Sequence, residues 1–112
     1  KAQISKKIHI NESDLCVLLS NALENALHAC QKVKEKGMDG NIEVSAFEKK
    51  QKLFLQIVNS CDSDITFVQG IPTTSETGHG VGVRSICALA ERYEGIYTFE
   101  VIEDKFVLRV SI

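Results

Sequence analysis

Between residues 15 and 33 the apolar side chains return every three or four positions, at Leu15, Leu18 or Leu19, Ala22, Ala26, Ala29 and Val33. That is the period of a helix with one buried face. Asn11 or Ser13 is placed to cap its start, with acids in the first turn, and Gly37 to stop it after about Lys36. A second helix is expected from Gly78 to Tyr93, with Val83, Ile86, Leu89 or Ala90 and Tyr93 inward and Gly95 ending it. Elsewhere the period is two. Ile4 to Ile10 reads as a half-exposed strand, Ile42 to Phe47 as another, and Leu53 to Asn59 as a more apolar one, joined to the second by a polar hairpin connection at Glu48–Gln51. Ile96 to Ile102 and Phe106 to Ile112 close the chain through Glu103-Asp104-Lys105. From Cys61 to Gly80 nothing is periodic. A long polar loop inside a compact domain is usually functional, often a lid.

The order strand, helix, two strands, loop, helix, two strands predicts an α+β fold. It is a two-layer α/β sandwich with both helices on one face of a mixed, largely antiparallel sheet. At 112 residues the chain is one domain spanning 1–112.

Composition removes alternatives more than it adds any. Apolar residues make up 44% and charged residues 25%, an ordinary globular balance. The net charge is −2 and the longest basic cluster is Lys6-Lys7, so no nucleic-acid stripe exists. No apolar run reaches membrane-spanning length, so no membrane contact is expected of this segment. Cys16, Cys30, Cys61 and Cys87 are irregularly spaced without a C-x-x-C pair; they read as reduced, mostly buried thiols of a cytosolic protein. The chain opens on Lys1 rather than methionine, which suggests a piece of something longer.

The polar face of the first helix carries the candidate chemistry. Asn21, Asn25, His28 and Lys32 line up three and four apart, with Glu24 beside them. Asn weakens a helix interior because its amide competes for backbone hydrogen bonds, so two of them one turn apart suggest a task other than folding. Both amides and the Glu24 carboxylate can converge on one ligand, and such oxygen donors suit Mg²⁺. The alternative is a solvated polar face. Gly78, Gly80 and Gly82 at a helix start let backbone approach an anion favoured by free N–H groups and the helix dipole, or else form a flexible turn. They match neither the Rossmann spacing nor a P-loop. Asn59 could offer its amide to a nucleobase edge or simply shape a turn. His9 and His28 lack partners at metal-ligand spacing, and no nucleophile motif is present.

In sequence order, Asn21-Ala22-Leu23-Glu24-Asn25-Ala26, an amide at a strand end, a lid and a G-x-G-x-G helix start resemble the Bergerat, or GHKL, ATP-binding fold of gyrase, MutL and sensor histidine kinases. The resemblance covers nearly the whole chain. The stretch NALENALHA is similar to the histidine-kinase N box, and IVNS at 57–60 with TTSETGHGVGV at 73–83 resembles the peptide-sensing quorum kinases of the accessory-gene-regulator sensor type.

The resemblance implies ATP and Mg²⁺ as cofactors. Asn25 would hold the metal between the phosphates, Asn21 would add a polar contact, and Glu24 would assist catalysis through water or the metal. His28 stands where many relatives carry a phosphate-contacting lysine, and Gly78, His79, Gly80 and Gly82 would bring lid backbone to the phosphates. Asn59 would read adenine in place of the usual Asp, as a neutral and therefore looser partner. Glu76 stands where a basic residue is common. The implied activity is that of a histidine-kinase catalytic domain, giving the γ-phosphate to a histidine on a separate dimerisation helix; His9 is not nominated as that acceptor. The implied partners are the dimerisation helices of a parent kinase that is expected to be a homodimer in full length, and a response regulator. The implied place is the cytoplasmic side of a bacterial membrane that anchors the parent. The rivals are an anti-sigma-factor-type serine kinase on the same fold and a degenerate docking module that has lost ATP.

Overall fold

The computed structural model describes residues 2–3, 10–62, 65–73 and 80–112. In chain order the elements are β1 (Ala2–Gln3), α1 (Glu12–Glu35), β2 (Ile42–Lys49), β3 (Lys52–Ser60), β4 (Thr66–Val68), β5 (Ile71–Thr73), α2 (Gly80–Arg92), β6 (Ile96–Ile102) and β7 (Lys105–Ser111). Five strands form one sheet in the order β1-β2-β3-β7-β6, antiparallel except for the β1–β2 pair. The α+β two-layer architecture is the one expected. Of the predicted strand Ile4–Ile10, residues 4–9 lie outside the described residues; Ile10 is a buried bend leading into α1.

Helix α1 begins where its chemistry says it should. The Asn11 side chain accepts a 2.7 Å hydrogen bond from the Asp14 N–H, with Glu12 and Asp14 in the first turn and Lys32 and Lys34 in the last. It ends in a Schellman turn: Gly37, at φ +81°, donates to the Lys34 carbonyl, and Met38 to that of Val33. Leu18, Ala22, Ala26, Cys30 and Val33 are its buried line. Cys30 thus takes the fully buried place expected of Ala29, which packs at the core's margin.

Helix α2 ends in the same motif with a different distribution of labour. Glu94 holds the left-handed position at φ 55°, and Gly95 donates to the Ala90 carbonyl at 2.7 Å. Gly95 is glycine for another reason, because a Cβ there would collide with the Ser111 carbonyl of the neighbouring strand. The two helices run side by side over the sheet, antiparallel. They are clasped at one end by Asp14, which accepts from the Tyr93 hydroxyl, from Arg92 Nη1 at 3.2 Å and from Asn11 Nδ2 at 3.1 Å.

The core lies between the layers. Leu53, Leu55, Ile57 and Asn59 of β3 face it, level with Ile112, Val110, Leu108 and Phe106 of the last strand, with Ile86, Leu89 and Ala90 of α2 above. On the opposite face of the sheet Gln56 and Glu100 each accept from Arg109, and Val107 is buried. A groove of about 340 Å³ there, walled by the stacked rings of Phe47 and Phe54 and by Ile96, is on the far side from the helices.

Two expectations change. The polar connection at Glu48–Gln51 shrinks to a two-residue turn, Lys50 (φ 53°) and Gln51 (φ 66°), because the strands pair out to Lys49 and Lys52. The loop expected to be aperiodic from Cys61 to Gly80 holds a short hairpin, β4 and β5, turning at Gln69-Gly70. Ile65, Phe67 and Ile71 pack it onto the core, so this part of the supposed lid is anchored. Alternation over three residues is too short to read as a strand against a polar background.

Candidate functional site

The polar stripe of α1 that the sequence singles out turns toward α2. Asn21 is half-buried against the first turn of α2: a Cβ placed on Gly82 would sit 3.6 Å from Asn21 Oδ1 and 3.7 Å from its backbone oxygen. A side chain at residue 82 would therefore fill the space between the asparagine and the α2 backbone. Asn25 and His28, one and two turns further along, are also half-buried, and His28 Nε2 is shielded from solvent. Glu24 is exposed, on the adjacent face.

Helix α2 starts at Gly80 and carries no acidic residue in its first turn, whereas α1 has two. The N–H groups and partial positive charge of α2 are thus left uncompensated by its own first-turn residues and lie next to the asparagine stripe. Gly78, His79 and Glu76 are outside the described residues.

Asn59 is the candidate that the sheet contributes. It is 1% exposed, on the core face at the end of β3, and its Nδ2 donates to the Ser60 carbonyl at 3.0 Å. With one N–H so used, the amide keeps its second N–H and its Oδ1 acceptor. The strand end is held firmly. The Ser60 N–H donates to the Asn41 carbonyl at 2.9 Å, and Ser60 Oγ accepts from the Asn41 N–H at 3.0 Å and from Lys105 Nζ at 3.1 Å. Cys30 Sγ reaches the same Asn41 carbonyl at 3.6 Å. The end of β3 is thus tied, through Asn41, to the α1 turn at Cys30. The roles of Ser60, Asn41 and Lys105 were not foreseen, because their partners come from three separated stretches and no local spacing records the bonds.

The arrangement argues for binding more than for covalent chemistry. Burial, with the charges of Asp104 and Asp62 nearby, pushes the Cys61 thiol up, and burial does the same to Cys87, so neither is a ready nucleophile at neutral pH. Among the described residues no cluster of three or more His, Cys, Asp or Glu side chains could hold a metal alone. A metal here would need oxygens from a ligand as well as from the protein, which is how Mg²⁺ usually binds. The Asn25 amide oxygen fits such a shell as one donor. No described helix is long and apolar enough to cross a membrane.

Two helices over an antiparallel sheet, with an asparagine-bearing helix face against a helix start at Gly80 and Gly82, fit the GHKL architecture. The chain belongs to that family, since the GHKL domain model matches residues 10–112. Its fold is that of histidine-kinase catalytic domains. It superposes on the catalytic domain of the histidine kinase ThkA with a TM-score of 0.73 at 18% identity, over 99% of this chain and 74% of that one. On the mycobacterial sensor histidine kinase MprB the TM-score is 0.70 at 14% identity, over 94% and 73%. On the Acinetobacter baumannii histidine kinase AdeS it is 0.66 at 14% identity, over 94% of this chain but 48% of that one. No curated protein matches the chain in sequence.

Proposed function

We propose that this chain is the catalytic, ATP-binding domain of a two-component sensor kinase, binding Mg-ATP and presenting its γ-phosphate to a histidine on a separate dimerisation domain. The observation that carries the reading is the packing of Gly82 against Asn21, which sets the first turn of α2, itself without an acidic residue, beside the asparagine that leads the α1 stripe. Phosphoryl transfer depends on positioning and charge neutralisation, and a site of amides and N–H groups without a nucleophile is suited to that.

In this reading Asn25 offers an oxygen to Mg²⁺, which when bound would neutralise phosphate charge. Asn21 and the α2 backbone, with Gly78, His79, Gly80 and Gly82, hold the phosphates, and His28 adds a contact. Asn59 accepts from the adenine amino group. Glu24 orients the reacting groups through water. The dimerisation helices of a parent kinase and a response regulator are the proposed partners, the parent being anchored in a bacterial membrane with this domain on the cytoplasmic side. Membership of the peptide-sensing quorum subtype rests on IVNS and TTSETGHGVGV.

Because Asn59 Oδ1 is an acceptor, it pairs with the amino group of adenine and opposes the carbonyl of guanine. Thermal-shift titration with Mg-ATP and Mg-GTP tests this. Stabilisation by ATP but not by GTP at equal millimolar concentration is expected. Equal stabilisation by both would contradict the role given to Asn59, and stabilisation by neither would contradict the function.

A further inference from the structure

On the flank of α1 away from the asparagine stripe runs a second line of residues that the nucleotide site does not use: Glu12, Cys16, Leu19, Leu23, Leu27, Cys30 and Lys34. At about 100° per residue they fit within an arc of roughly 80°. Leu23 is 37% and Leu27 55% exposed, Cys16 is exposed, and Leu19 is half-buried at the core's edge. Two leucines one turn apart, open to solvent along one seam, are more than an isolated apolar side chain.

The seam is a chemical palindrome about Leu23. Four residues to either side stand Leu19 and Leu27, seven to either side Cys16 and Cys30, and eleven to either side Glu12 and Lys34. In residue type the line reads the same from both ends except for opposite charges at its tips, although Cys30 is buried where its mirror Cys16 is exposed; the charges at the tips suit an inverted copy of the helix, as a two-fold contact requires. The acidic first turn and basic last turn of α1 would meet head to tail twice.

We propose that this face of α1 pairs with the same face of a second copy of this chain, antiparallel, with Leu23 on the two-fold axis. Leu27 of one copy packs against Leu19 of the other, and Glu12 faces Lys34 at both ends. At the Cys30 layer the small Cys16 of the second copy rests on the loop that covers Cys30, where Gly40 is so close that a Cβ would come within 3.0 Å of the Cys30 Cβ. One helix pair without further strands is a small interface, so the dimer is weak and concentration-dependent unless a tether raises the local concentration. The pairing does not depend on nucleotide, and it leaves the asparagine stripe open.

Sedimentation velocity on the chain, from micromolar to millimolar concentration, tests the proposal, with circular dichroism and thermal unfolding verifying each variant's fold. A monomer–dimer equilibrium is expected, shifted to monomer by Leu27→Lys. Lys34→Glu should weaken the dimer about tenfold, because two symmetry-related pairs turn repulsive, and Glu12→Lys added to it should restore it within about twofold. In a Cys16→Ser background, Leu23→Cys should cross-link between copies under a mild thiol oxidant far faster than Val17→Cys, which is exposed but about a third of a turn away. A monomer at every concentration, a dimer whose charge reversal is not rescued, or equal cross-linking at residues 17 and 23 would each overturn the proposal.

Discussion

Asn25 and Glu24 are neighbours in sequence yet stand in different surroundings, and the difference decides what each can be asked to do. Asn25 is half-buried on the side of α1 that meets α2, while Glu24 is exposed. An exposed carboxylate can reach a bound ligand only through water or metal, so its proposed role is to orient the reaction. Glu24→Gln in the full-length parent should therefore lower the phosphotransfer rate by about tenfold or more while leaving nucleotide affinity unchanged. A rate within about threefold of wild type would remove Glu24 from the catalytic set. Asp14 makes the complementary case of a residue held by structure. Its carboxylate is kept below the usual 3.8 first by the Tyr93 hydroxyl and then by Arg92, and Tyr93 is correspondingly raised. A depressed carboxylate stabilises the fold above its unfolded-state value and loses that contribution as the pH falls through its folded value. Thermal unfolding of Asp14→Asn should thus show a lower Tm than wild type at neutral pH, the two converging only in the acid range at and below 3.8.

At the level of elements, both helices were legible in the chain because their apolar residues keep the helical period over several turns and because Asn11 and Gly37 punctuate α1. The unforeseen features are short or non-local. The β4–β5 hairpin offers three residues a side, too few for alternation to stand out. The hairpin connection at Glu48–Gln51 was legible but its tightness was not, because neither Lys50 nor Gln51 is the Asn or Gly that positive φ favours, yet the register of β2 with β3 forces both into it. That mismatch costs stability. Replacing Lys50-Gln51 by Asn-Gly should raise the unfolding free energy by about 1 kcal/mol in urea denaturation, since left-handed backbone costs a side-chain-bearing residue roughly 1–2 kcal/mol. No gain, with the hairpin register intact, would mean that the turn is not strained.

Across the whole molecule, the two-layer fold was readable because strand and helix periods alternate in an order few architectures accommodate. The convergence of the site was readable only in part. The stripe Asn21, Asn25 and His28 follows from helical spacing alone, but its meeting with Gly82 joins residues 61 positions apart, and the Ser60–Asn41–Lys105 lock that steadies Asn59 draws on three strand ends. The central claim is that these surfaces together hold Mg-ATP. Calorimetric titration with a non-hydrolysable ATP analogue, with and without Mg²⁺ and repeated on Asn25→Ala, tests it most directly. The account predicts magnesium-dependent binding that Asn25→Ala abolishes. No heat at millimolar nucleotide, or binding indifferent to both magnesium and Asn25, would contradict it.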